Sequence, residues 1–488
     1  MIVAASRHHE RTTAIAPVGS NGGYTWASSY RSRTVPGHAR RRRALSPMIA
    51  APFLQRLEGS RFPMTTATPL ELPARTASGP WAVALAGMVS LAIAMGIGRF
   101  AFTPLLPMML HDGTLDLPTA SWLASANYLG YLAGALLCTF QPWIWARVRW
   151  LPAIVGTTLV RAGLVTTALL TLGMALPLPG SWPVLRFAAG VASAVVFVYT
   201  SGWCLARLAQ LGASPMGGVI YAGPGGGIVI SGVFASGMVA WQWRAATGWV
   251  IFGVLALGLT AAVWGIFRGR APVPAMSAAV STSMSPSASA AVGAAPVAAG
   301  SGREVALLTV AYGLAGFGYI ITATFLPVIA RVALPGSPWI DMFWPIFGAG
   351  VVIGALLATR LPATGDRRLR LAGSYLLQSA GIAASLWSPS LAGFAIGSLM
   401  LGLPFTAITF FAMQEVRRLR PALAASYMGL LTATYGIGQI VGPPLVALLL
   451  AHSGSAGEGF THSLEIAAAA LFAGALLYLW MARAHPLK

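Results

Sequence analysis

Three arginines stand inside long apolar runs of this sequence: Arg99, Arg161 and Arg186. A charged side chain within a segment that crosses lipid is costly, so each marks a functional position by default. Arg99 lies about 27 Å beyond Trp81 along a helix rising 1.5 Å per residue, which sets it in the outer half of its run. A guanidinium offers planar, paired donors suited to a carboxylate or phosphate. No acid sits at a nearby level of the same helix, so a bound anion is one partner that would answer Arg99. The others are snorkelling to headgroups and capping of a helix carbonyl. Arg186, four residues into its run, reads equally as an interface anchor or a solute-entry residue.

Neutral polar groups recur at helical spacing. Tyr312, Tyr319 and Thr322 share one stripe, and Asn127 with Tyr131, Ser193 with Thr200, Thr406 with Thr409 and Tyr427 with Thr434 form others. Each alone could bond across neighbouring helices at ~0.6 kcal/mol. As a set they predict a polar cavity, with Arg99, Asn127, Tyr131, Thr200, Tyr312, Tyr319, Thr322, Thr406 and Thr434 as the solute-binding residues. The seven His all fall outside the apolar runs. Acids are as scarce, and Asp341, at the outer end of a run, is the first candidate for ion coupling. There is no P-loop, no H-E-x-x-H and no Ser/His/acid set, so ATP drive and hydrolysis lack support. No cofactor or metal is expected. Cys138 and Cys204, both within apolar runs, predict neither a disulfide framework nor a zinc site. An intramembrane enzyme would need His or acids clustered on one aqueous pocket, and none cluster here.

The elements that must position these residues follow from composition. Of 488 residues 56% are apolar and 9% charged, against about a quarter charged in a soluble domain. From Trp81 onward twelve apolar stretches are long enough to cross ~30 Å of hydrocarbon as helices. They are 81–109, 119–145, 151–174, 182–207, 216–240, 245–267, 305–330, 338–360, 370–388, 391–414, 422–451 and 463–482. If the chain starts inside, the inward loops carry thirteen Arg and the outward loops only Arg244 and Arg331. That asymmetry predicts both termini in the cytoplasm. The net charge of +20 does not point to nucleic acid, because eleven Arg precede residue 80 and the rest are dispersed. Residues 1–79, with the run Arg40 to Arg43, read as a disordered Arg-rich extension. Met64 is a plausible true start, and an organelle transit peptide is the lesser alternative. The segment 268–304 is a flexible Ala/Ser/Pro linker. It separates a six-helix bundle at 80–267 from another at 305–488.

The second half repeats the first. At an offset of 220, Gly96 pairs with Gly316, Gly98 with Gly318, Pro107 with Pro327, Gly130 with Gly350, and Gly134-Ala135-Leu136-Leu137 with Gly354-Ala355-Leu356-Leu357. In spans four and five the offset falls to 211 or 212, matching Gly190 to Gly402 and Gly225 to Gly436. Individually these glycines are explained by close helix packing. The register that persists across two helices and their loop carries the architecture: two like halves that rock about a midplane site.

Over residues 80 to 485 the chain resembles the major facilitator superfamily (MFS), and within it the YbfB/YjiJ-like branch. The resemblance is carried by Gly96-Ile97-Gly98-Arg99-Phe100-Ala101-Phe102-Thr103-Pro104, Asn127-Tyr128-Leu129-Gly130-Tyr131, Arg186-Phe187-Ala188-Ala189-Gly190 and Gly436-Ile437-Gly438-Gln439. The signature G-x-x-x-D-R is missing after span two. After span eight it survives in part as Gly354 followed by Gly365-Asp366-Arg367-Arg368, which marks Asp366 and Arg367 as a gating loop. The pattern G-x-x-x-G-P stands in register in span eleven as Gly438 to Pro443. The resemblance implies an all-α integral membrane protein of twelve helices. It sets spans one, four, seven and ten around a central cavity, which favours Arg99 as an anion ligand. It places span three on the periphery, so Arg161 reads as structural pairing or snorkelling. The expected function is a secondary transporter of a small organic, anionic solute, monomeric in the bacterial inner membrane, with a multidrug or metabolite efflux pump as the alternative.

Overall fold

The computed structural model describes residues 78–147, 155–268, 302–361 and 365–487. The Arg-rich extension with Met64 and nearly all of the 268–304 linker lie outside the described residues. Among the described residues every regular element is helical. In lipid only a helix satisfies the backbone of so apolar a segment internally. The first span is broken: α1 (Pro80–Leu91) leads through a π-helical turn, Ala92–Ile97, into α2 (Phe102–His111). Then follow α3 (Leu117–Arg147), α4 (Gly156–Gly173), α5 (Trp182–Gln210), a broken fifth span of α6 (Gly217–Ile220) and α7 (Gly223–Ala240), and α8 (Ala245–Val263). The second half holds α9 (Gly302–Ala333), α10 (Phe343–Ala358), α11 (Arg367–Trp387), a broken tenth span of α12 (Leu391–Gly402) and α13 (Phe405–Leu419), α14 (Ala424–His452) and α15 (Ala456–Ala484).

Eleven of these passes are long and apolar enough to cross a membrane by themselves. The count of twelve therefore needs qualifying at α11, whose opening Arg367, Arg368 and Arg370 and whose buried Gln378 lower its hydropathy. It packs against α12 and α15. In the first half α4 lies against α5 and α8 in the same way.

The sequence repeat reappears as contacts. A Cβ added to Gly130 would run into the Phe187 carbonyl, and one added to Gly350 would meet the Leu399 carbonyl. Gly134 lies on Val191 and Gly354 on Leu403, while Gly190 lies on Asn127 and Gly402 on Phe347. Every pair maps onto its counterpart by the offsets of 220 and 212. Small residues let backbones approach closely where lipid supplies no hydrophobic drive between helices. The glycines are therefore the stitching of each bundle.

The two halves meet along α3 with α14, α7 with α10, and α2 with α9. The start of α1 packs on α6, whose Gly218 meets Thr359 at the end of α10, and Arg368 at the start of the next helix bonds the Met481 carbonyl near the end of α15, so these ends share one side, here the terminal side. On the opposite side the halves are bonded directly. Thr103 Oγ1 donates to the Ala323 carbonyl at 2.9 Å, and Ser125 Oγ to the Ile440 carbonyl at 2.9 Å. The Tyr128 and Thr324 hydroxyls lie 2.8 Å apart, and Phe100 sets its ring edge-on to Trp344. Toward the terminal side α5 and α13 pack chiefly within their own halves.

Candidate functional site

The site begins with the break in the first span. Ala92 to Gly98 holds two alanines and two glycines at alternate positions, and there the helix widens: Gly98 N donates to the Ile93 carbonyl at 2.8 Å and Phe100 N to the Met95 carbonyl at 3.1 Å. Such single π turns cost regular hydrogen bonding and cluster at functional sites. The carbonyls they free are taken by Arg186 of α5, whose Nη1 donates to Gly98 O at 3.3 Å and Nη2 to Arg99 O at 3.1 Å. Its guanidinium also lies over the Phe102 ring at 4.8 Å. Asn127 Nδ2 donates to the Arg186 carbonyl at 2.9 Å and fixes that register. Ser193 Oγ donates to the Ala94 carbonyl at 2.7 Å. Arg186, expected as an interface anchor or a solute-entry residue, takes neither position: it is buried and off the cavity lining. It is 2% exposed and clamps a helix break.

With the break held, Arg99 points into a cavity of about 600 Å³ between the halves. Its guanidinium lies over the Tyr131, Tyr128 and Phe100 rings, at 4.2, 5.0 and 5.3 Å. Nη2 donates to Gln439 Oε1 at 2.7 Å, while Nε is buried and unpartnered. No acid pairs with it among the described residues. Gln439 Nε2 in turn donates to the Tyr319 hydroxyl. Tyr319 stacks on Tyr435 at 5.7 Å and meets Phe405 edge-on at 5.0 Å, and Tyr312 lies 4.8 Å from Tyr435 and donates to Thr409 Oγ1 at 3.0 Å. The cavity therefore joins one cation to an aromatic wall. It runs from this level past Cys138 to Phe140 of α3, Met413 of α13, and Ser426 and Gly429 of α14. These lie in the terminal-side ends of their helices, so the cavity reaches toward that side while the other is sealed.

Of the expected solute-binding residues, Arg99, Tyr131, Tyr312, Tyr319 and Thr406 line this cavity. Asn127, Thr200, Thr322 and Thr434 do not. Asn127 is turned to the Arg186 carbonyl, and Thr434 to the Leu431 carbonyl at 3.0 Å and the Thr309 carbonyl at 3.4 Å. Thr200 and Thr322 are buried with unpartnered hydroxyls away from the lining. Gln439, Tyr435 and Phe405 line the cavity outside the expected set. Gln439 is the one carboxamide in an otherwise apolar stretch, Gly436 to Val441, which is the signal by which a sequence can point to it.

Asp341 is also displaced from the expected role. It pairs with Arg331 at 2.8 Å on the sealed side and does not reach the cavity. Arg161 bonds the Trp264 carbonyl at 2.8 Å and lies over that ring, which is the structural pairing expected. At the terminal side Asp366 caps α11 through Arg368 N at 2.9 Å and binds the Arg368 guanidinium at 2.8 Å. Arg368 is fully buried, 3.6 Å from Glu304 and 4.0 Å from Glu415, and donates to the Met481 carbonyl. Among the described residues Arg367 bonds Gln414, at 2.9 Å. The partner of Asp366 is therefore Arg368, and these contacts join helices of one half. Burial pushes the Asp366 carboxyl up, but its hydrogen bonds from Arg368 and the charges of Arg368 and Arg418 outweigh that and hold it below the usual range.

A family model described as an uncharacterised MFS-type transporter, YbfB, matches residues 91–479. Among curated proteins, a chloramphenicol resistance protein of Streptomyces lividans is 27% identical over 399 residues, 78% of this chain and 92% of that protein. Among solved structures, the nucleoside transporter NupG superposes with a TM-score of 0.60 at 15% identity, covering 82% of this chain and 99% of the other. A D-xylose-proton symporter superposes with a TM-score of 0.58 at 10% identity, covering 82% and 97%. At those identities the likeness to the two structures is one of fold.

Proposed function

The chain belongs to the family of MFS-type transporters that the YbfB model describes, and from that membership we propose that it carries a small organic anion across the bacterial inner membrane. In this reading it acts as a monomer with both termini cytoplasmic. The observation that carries the anion is Arg99, among the described residues the one charged side chain lining the cavity, with an unpartnered buried donor and no acid to answer it. A buried cation left without a counter-charge is expensive. A solute that supplies the charge ties that cost to binding. The thirteen-to-two distribution of Arg supports cytoplasmic termini. In that orientation the cavity faces inward.

The test is uptake and efflux of labelled carboxylates in proteoliposomes, with and without a pH gradient. Arg99→Lys keeps the charge but loses the planar fork, so it should weaken transport of anionic solutes; Arg99→Ala should weaken it more, and neither should much affect neutral ones. Parent rates for every anion in a folded, inserted Arg99→Ala would leave Arg99 as an anchor only.

A second reading, efflux of a neutral aromatic compound, is favoured by the aromatic wall together with the chloramphenicol resistance relative. It predicts lowered cellular accumulation of chloramphenicol on expression, retained in Arg99→Ala.

A further inference from the structure

The guanidinium of Arg99 has one edge on which Nε and Nη2 present two parallel N–H groups. One prong, Nη2, holds the amide oxygen of Gln439 at 2.7 Å, and the other, Nε, is buried with no partner. That is a bidentate carboxylate site half filled by a neutral oxygen. We propose that Gln439 stands in for the substrate's carboxylate in the empty carrier, and that a flat organic monocarboxylate displaces it. This rests on the anion reading above and adds to it the class of anion and the residue that gates its entry.

The charge and shape of the occupant follow from the lining. Among the described residues Arg99 is the only charged one lining the cavity, so a second negative group would face no cation there. The faces next to the fork are rings: Tyr131 stacks on the guanidinium itself, and Tyr319, Tyr435 and Phe405 wall the opposite half. Rings gain most from a planar apolar body laid against them.

Displacement also has a consequence for the halves. Gln439 belongs to α14 and Arg99 to the first span, so their hydrogen bond crosses the interface. It lies directly beneath the seal, because Ile440, whose carbonyl takes the Ser125 hydroxyl, follows Gln439. Thr103, bonded to the Ala323 carbonyl, lies one turn beyond Arg99. A carboxylate that takes the fork removes a cross-half bond at the base of the sealed layer. Loading would then loosen the side that must open next.

The experiment measures ligand-induced thermal shifts of the purified full-length protein with benzoate, its neutral isostere benzamide, and the dianion phthalate. The parent should respond to benzoate and much less to the other two. Gln439→Leu, which removes the competing oxygen at similar bulk, should bind benzoate several-fold more tightly, whereas loss of a direct ligand or of a structural prop would weaken it. Gln439→Glu plants a carboxylate on the fork and should weaken benzoate by about tenfold or more, the worth of a charge-assisted hydrogen bond. If Arg99→Ala binds benzoate as the parent does, the anion reading itself fails. If Arg99→Ala loses benzoate but Gln439→Leu binds it no better than the parent, the anion reading stands and the stand-in role of Gln439 is overturned. A parent that ignores benzoate, or prefers phthalate or benzamide, overturns the assigned class.

Discussion

Arg99 and Arg186 are buried cations of the same chain, and neither has a carboxylate partner among the described residues. Each leaves a buried Nε unpartnered, and their tasks differ because their terminal nitrogens are spent differently. Arg186 uses both terminal nitrogens on the carbonyls of Gly98 and Arg99. Arg186→Ala should leave both carbonyls unpaired in an apolar setting, at about 1–3 kcal/mol each. A scan of the purified variant should show a marked fall in melting temperature. Arg161→Ala, by contrast, removes one bond at an exposed edge, and its melting temperature should stay near the parent's. The sequence made Arg99 legible through charge and residue type. It could not disclose Arg186, because the carbonyls it binds lie 87 and 88 residues away and are free only because a helix breaks. Asn127 was misplaced for a related reason. Polarity at helical spacing marks a face that needs partners, and a backbone carbonyl takes the Asn127 amide N–H as well as a solute would.

Among the elements, the bundles are stitched by glycines at repeat-related crossings. Gly130→Val and Gly350→Val should each force a pair of helices apart and lower the melting temperature, because what they would strike is a backbone carbonyl. Gly237→Ala, with open space around it, should leave the melting temperature unchanged or raise it slightly. The start of α11 supplies a pH-dependent counterpart. A carboxyl held low in the folded state stabilises above its unfolded pKa of about 3.9 and loses that contribution as pH falls through the lower folded value. Asp366→Asn should therefore lower the melting temperature at neutral pH and flatten its fall below about pH 4, measured across a pH series. Apolar length and the glycine register revealed the spans and the repeat. The three breaks, a π turn in the first span and short turns at Tyr221–Ala222 and Leu403–Pro404, alter backbone hydrogen bonding over a few residues without changing hydropathy, so apolar length does not reveal them.

For the whole molecule, the prediction is one-sided access. In a background lacking Cys138, a membrane-impermeant maleimide should label Ser426→Cys, an exposed lining residue, from the terminal side. Thr324→Cys, fully buried in the seal, should resist labelling from the other. Equal labelling of Thr324→Cys from the far side would mean that the sealed layer does not hold. Reporters fused after residue 285 and after residue 455 should fall on opposite sides, cytoplasmic and periplasmic, if the Arg asymmetry sets orientation.

A lone positive charge in the cavity also makes the carrier an electrical device. Filled with a monoanion, the site is neutral and reorients without sensing the membrane potential. Empty, it moves a positive charge through part of the field, where a full elementary charge is worth about 2.3 kcal/mol per 100 mV. Were the termini cytoplasmic and the interior negative, voltage would hold the empty carrier facing inward and would hasten its return after a release outside. Exchange of one anion for another would run at the same rate at any potential, while net flux would rectify in favour of export.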